Sequence, residues 1–92
     1  MVDGKTMNAL EKGVKDHCVS GNYLYAYLAI KDFEKKNKLF PYETAMYLKN
    51  CIHERRVEKY CRRFLRQLTR KCAACEESLK ADKDEGVTSA KG

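Results

Sequence analysis

Apolar residues recur along this chain at intervals of three and four, the spacing that lines one face of an α-helix. Met7, Leu10, Val14 and Cys18 form the first stripe. It predicts a helix starting near Thr6 or Asn8, where Asn8 and Glu11 have the spacing of a capping pair. Ser20-Gly21-Asn22 ends it. Gly21 suits the left-handed conformation that closes a helix, and Asn22 suits the cap of the next. Tyr23, Ala26, Tyr27, Ile30 and Phe33 predict a second helix from Tyr23 to Lys36. Leu24 and Leu28 widen its apolar arc, so it is expected in the middle of the bundle, contacted from two sides.

Leu39-Phe40-Pro41 breaks the pattern, because the residue before proline is held extended. Pro41 and Glu43 suit the first turn of a third helix. From Tyr42 to about Ala81 no residue argues for a stop, which predicts a rod of about 60 Å at 1.5 Å per residue. Val57, Cys61, Phe64, Leu68, Cys72, Cys75 and Leu79 form a coiled-coil-like seam along it. The second helix, at roughly 20–25 Å, covers only the first half of that rod. The C-terminal seam therefore calls for a partner chain or a second copy. The alternative is a break near Thr69-Arg70-Lys71, with the tail folding back as a fourth short helix.

These elements define an all-α fold: a helical hairpin plus a long third helix, as a three-helix bundle or a two-repeat α-hairpin array, open to dimerisation. Residues 1–81 form one domain and residues 82–92 a polar, flexible tail. With 92 residues, 43% hydrophobic content and one proline, the chain is globular with a small core.

Charge changes the picture through its location. Residues 1–54 carry eight basic and seven acidic groups, whereas residues 55–71 carry eight basic and one acidic. Arg55, Lys59, Arg62, Arg66 and Arg70 share one helical face in this reading, with Arg56, Arg63 and Lys71 beside it. Only Glu58 is placed to pair with one of them, Arg62, at i, i+4. Unpaired arginines at regular spacing suit phosphate or carboxylate, which they grip with forked hydrogen bonds. The aromatic residues add no RNA signature, because stacking platforms need exposed rings interleaved with cations and Tyr60 alone sits among these arginines.

Five cysteines, 18, 51, 61, 72 and 75, and an N-terminus without an apolar core point to free thiols in a reducing intracellular compartment, the cytoplasm or mitochondrial matrix. No apolar run is long enough to span a bilayer, so no membrane insertion is expected. Cys72-Ala-Ala-Cys75 has metal-like spacing, but a structural zinc needs four ligands and Cys61 lies about 16 Å away on a straight helix. No metal site and no cofactor are assigned. Glycine-rich phosphate loops, nucleophile elbows and paired carboxylates in an apolar setting are missing, so no catalytic residue is assigned and a non-enzyme is expected.

The stretches TMNALEKGVKDHCVSGNYLYAYLAIKDF and KKNKLFPYETAMYLKNCIHERRVEKYCRRFLRQL, within residues 6–68, resemble pentatricopeptide-type helical-hairpin repeats. Cys18-Val-Ser-Gly21, Ala26, Ile30 and Phe33 carry the likeness in the first, and Pro41, Leu48, Cys51, Arg55-Arg56-Val57 and Phe64 in the second. Cys18 corresponds to Cys51, and Gly21 to Arg55, at separations in the range of stacked helix pairs. The resemblance implies an α-solenoid relative of mitochondrial and plastid proteins that read single-stranded RNA, with reading positions near Tyr42 and near Met46 or Tyr47. Arg55-Arg56 replaces the glycine of the second turn, which again favours one long helix.

The expected role is a non-catalytic interaction or assembly subunit, within a ribonucleoprotein or mitochondrial complex. A protein partner or homodimer would dock on the Val57–Leu79 seam, oriented by the arginine face. The alternative is an autonomous RNA-binding protein. Its outline is similar to the small dimeric helical bundles of insect nodaviruses, which grip double-stranded RNA through shape and backbone. A metal or redox protein built on Cys72 and Cys75 is the third reading.

Overall fold

Asp3 sets the start of the first helix. Its carboxylate accepts a 2.8 Å hydrogen bond from the Thr6 backbone N–H, which holds its pKa below the ordinary aspartate value. The helix therefore begins a turn before the Asn8–Glu11 pair. The computed structural model describes the backbone of residues 3–91 and the side chains of residues 3–80. Four helices make up the described chain: α1 (Gly4–Val19), α2 (Tyr23–Asn37), α3 (Tyr42–Glu54) and α4 (Arg62–Lys91). No strand occurs among the described residues.

The expected continuous third helix is overturned: it is two helices, α3 and α4, separated by residues 55–61. The reason lies in the backbone of Arg56. At the end of α1, Gly21 stands at φ +78; its N–H donates to the Cys18 carbonyl and the Asn22 N–H reaches back to His17. At the end of α3, Arg56 stands at φ +55 and repeats the motif, Arg56 N–H to His53 and Val57 N–H to Ile52. Both ends are Schellman stops, and the second places an arginine where glycine is the usual occupant. Its counterpart of Gly21 is thus Arg56, one residue beyond the match read from the sequence. The chain then winds through a turn in which Tyr60 N–H donates to Val57 and Cys61 N–H to Val57 and Glu58. The Cys61 carbonyl accepts from Leu65 N–H, opening α4.

Pro41 is fully buried ahead of α3, and its carbonyl accepts from Ala45 N–H. The core gathers Val14 and Cys18 of α1, Ala26, Tyr27 and Ile30 of α2, and Ala45, Leu48, Cys51 and Ile52 of α3. Cys61 of the turn and Phe64, Leu68 and Cys72 of α4 complete it. α2 and α3 each touch all three other helices. The second strip of α2 is not covered, however: Leu24 is 51% and Leu28 46% exposed.

Tyr27 ties α2 to α4 in two ways. The rings of Tyr27 and Phe64 stack with centroids 5.0 Å apart, and the Tyr27 hydroxyl donates to Gln67 Oε1 at 2.8 Å. Thirty residues of α4 span about 45 Å, most of the longest dimension of the 51 × 30 × 19 Å molecule. The radius of gyration, 14.9 Å, exceeds the roughly 12 Å of a compact domain this long. Residues 82–91, read as a tail from the sequence, continue α4 in backbone conformation.

Candidate polyanion-binding face

The break at 55–61 divides the basic segment into groups with different surroundings. Arg55, in the turn, points back to the end of α1. Its guanidinium donates to the Cys18 carbonyl and, at 3.1 Å, to the Tyr23 hydroxyl. A cation there satisfies a terminal helix carbonyl and the negative end of the helix dipole, which is a structural role. Lys71 is also engaged within the chain, 2.9 Å from Glu34 of α2. Glu58 does not pair with Arg62. The turn carries it to His53 Nδ1, 2.8 Å away, and that contact lowers its pKa.

Arg56, Lys59, Arg62, Arg63, Arg66 and Arg70 are all exposed, and among the described residues none has an ion-pair partner. They crowd the turn and the first turns of α4. No acidic residue occupies the first turn of that helix. A helix N-terminus carries positive partial charge, so cations gathered there repel both one another and the dipole. The arrangement opposes the fold's own electrostatics, and an anion would relieve it.

Two grooves meet at this cluster and share Lys59 and Arg62. One, about 510 Å³, runs between the turn and α4 and is lined by Arg56, Lys59, Arg62 and Arg66, by the single acid Glu58, which His53 engages, and by Leu65 and Thr69. The other, about 650 Å³, lies between α2 and α4. Lys59, Arg62 and Arg63 form its basic side, and Leu24 and the stacked Tyr27–Phe64 pair its apolar side. Lys31 of α2 joins it, with Nζ 5.9 Å from the Tyr27 ring centroid. Sequence spacing missed Lys31, because its contribution depends on α2 packing beside α4. Tyr60 stands at the same groove, 79% exposed, with Lys59 Nζ 5.9 Å from its ring centroid.

The seam read from the sequence lies differently. Cys61, Phe64, Leu68 and Cys72 are buried against the chain's own helices, and Val57 packs partly against the same core. Cys75 is half-buried and Leu79 is 49% exposed. The chain therefore covers its own seam as far as Cys72. Tyr42 and Met46 are partly buried on α3. The Tyr42 hydroxyl is pushed up in pKa by burial and by nearby Glu76 of α4. Tyr47 lies beneath Lys15, whose Nζ is 5.6 Å from its ring. Of the three positions, Tyr42 and Met46 pack against the core and Tyr47 is exposed.

All five cysteines are thiols. Burial, and then the neighbouring Cys51, push the Cys18 thiol up to about 12. Burial also raises Cys61 and Cys72. Such thiols stay protonated and act as small apolar fillers. Among the described residues no three of His, Cys, Asp and Glu converge as metal ligands, and no helix is long and apolar enough to cross a membrane. Comparison with protein-family models, with curated proteins and with solved structures found no match.

Proposed function

We propose that this chain is a non-catalytic helical binding module that docks the phosphate backbone of RNA on the basic face formed by the 55–61 turn and the start of α4. The observation that carries the reading is the set of cations without ion-pair partners, Arg56 to Arg70, at a helix N-terminus whose first turn holds no acid. Their cost to the fold is recovered only when anions arrive. Arginine supplies five of the six, and its forked donors match phosphate oxygens. Binding of this kind follows charge and shape and needs no base code. Five thiols fit a reducing intracellular compartment, where RNA is at hand.

A second reading is favoured by Leu24 and Leu28, half exposed on α2, the first of them lining the basic groove. A protein partner with an acidic, partly apolar surface would cover both features, making the chain an assembly subunit. Fluorescence anisotropy with single- and double-stranded RNA at two salt concentrations separates the two. RNA binding should weaken steeply with salt, by about 0.7 in the log–log slope for each phosphate neutralised on a single strand. Absence of salt-sensitive binding to either RNA removes the first reading. Light scattering during size exclusion then reports whether a second copy is the partner.

A further inference from the structure

The geometry points to a subsite for an unpaired nucleotide in the groove between α2 and α4, where the base stacks on Tyr60 and its phosphates meet Lys31, Lys59, Arg62 and Arg63. This deepens the RNA reading and rests on it. It would make the chain prefer single strands to duplexes.

Tyr60 is a large ring left 79% exposed, carried on a backbone that the turn holds in place. The preceding Val57 is partly buried, the following Cys61 is buried, and the Tyr60 N–H donates to Val57 at 3.0 Å. A turn already ordered leaves only the two side-chain torsions of the ring to be fixed when something stacks on it. Tyr60 lines the groove together with cations on one hand and Leu24, Tyr27 and Phe64 on the other. Lys59 approaches it to 5.9 Å, and Arg62 and Arg63 follow on α4. Exposed aromatic rings interleaved with cations are what single-strand binders present, because every base offers a π-face and every linkage a charge. At about 650 Å³ the groove lies within the roughly 300–1,000 Å³ of small-ligand sites. Leu24 and the Tyr27–Phe64 pair provide an apolar wall for the base. In a duplex the base faces are already stacked and paired, so Tyr60 has nothing to receive.

The test measures wild type, Tyr60→Ala, Tyr60→Phe and Arg62→Ala against three probes at one salt concentration. The probes are a short oligouridylate, an abasic strand of the same length, and an RNA duplex. Tyr60 is exposed, so circular dichroism of Tyr60→Ala should match wild type. Tyr60→Ala should lose roughly 5- to 150-fold in affinity for oligouridylate, the range for removal of a stacking ring, and change little on the other two probes. Tyr60→Phe should keep wild-type affinity, and Arg62→Ala should weaken all three. If wild type binds RNA with salt sensitivity but Tyr60→Ala loses nothing on oligouridylate, the stacking subsite is wrong and the basic face stands. Equal wild-type affinity for oligouridylate and abasic strand also overturns it. If wild type binds none of the probes, the face reading and the subsite fall together.

Discussion

Replacing Arg56 by glycine should stabilise the protein and weaken RNA binding at once. Arg56 holds φ +55 to close α3, a conformation in which a Cβ meets the following carbonyl at a cost of roughly 1–2 kcal/mol. Glycine removes that strain but brings more backbone freedom to the unfolded chain, about 0.5–1 kcal/mol in the other direction. The net backbone gain is roughly 0.5–1 kcal/mol, or a rise in Tm of about 2–8 °C for a domain of this size. Loss of the charge adds a further small stabilisation by relieving repulsion at the start of α4. Arg56→Ala isolates that part, because alanine loses the cation and keeps the Cβ. Urea melts of wild type, Arg56→Gly and Arg56→Ala give the ordering: glycine above alanine by the backbone term. Both should lose RNA affinity equally, since both lack the same cation. If Arg56→Gly is no more stable than Arg56→Ala, the left-handed stop is not what divides α3 from α4.

Other measurements probe separate parts of the structure. Gly21→Ala should destabilise by about 1 kcal/mol through strain at φ +78 alone, since nothing lies within 4 Å of an added Cβ; an unchanged urea midpoint would contradict this. Leu68→Ala, at a side chain 1% exposed, should cost about 2–5 kcal/mol and lower the urea midpoint accordingly; a loss under about 1 kcal/mol would contradict its place in the core. Leu79→Ala, at 49% exposure, should stay within about 0.5 kcal/mol in the isolated chain; a larger loss would mean that a second copy covers the far end of α4. Arg62→Ala with Arg66→Ala should reduce the salt slope for single-stranded RNA by about 1.4, at roughly 0.7 per cation; an unchanged slope would remove both from the contact. Cys18 is held neutral in the fold up to about 12, against 9.0 in an ordinary thiol. The unfolded chain loses its proton first, so this contribution to stability is complete below pH 9 and declines from there toward 12. Cys18→Ala should therefore be less stable at neutral pH yet fall by about 1 kcal/mol less per pH unit above 9; parallel declines would refute the buried neutral thiol.

Much of the helical plan was legible from local pattern. The stripes of α1 and α2, the glycine between them and Pro41 ahead of α3 are signals carried by neighbouring residues, because helix periodicity and turn chemistry act over a few positions. The same local logic failed at residue 56. Arginine carries no mark of a left-handed stop, and the Val57–Leu79 seam starts inside the break and keeps helical spacing from there into α4. Seam spacing also says that a face will be buried without saying by what. α2 and α3 cover it up to Cys72, so a rod read as awaiting a partner is largely the chain's own core.

The candidate face divides in the same way. Its arginines were visible as an excess of charge in one short segment, a property of composition that folding cannot remove. Which of them are spent inside the molecule was a tertiary matter. Arg55 is taken by the end of α1 and Lys71 by Glu34, partners 37 residues away in each case. Lys31 and Tyr60 meet across the groove only because α2 lies against α4. The amino-acid order thus determined how much positive charge there would be and which short segment would carry it, since both are local. Packing alone decided which cations remain exposed together, because that depends on distances between segments far apart in the chain.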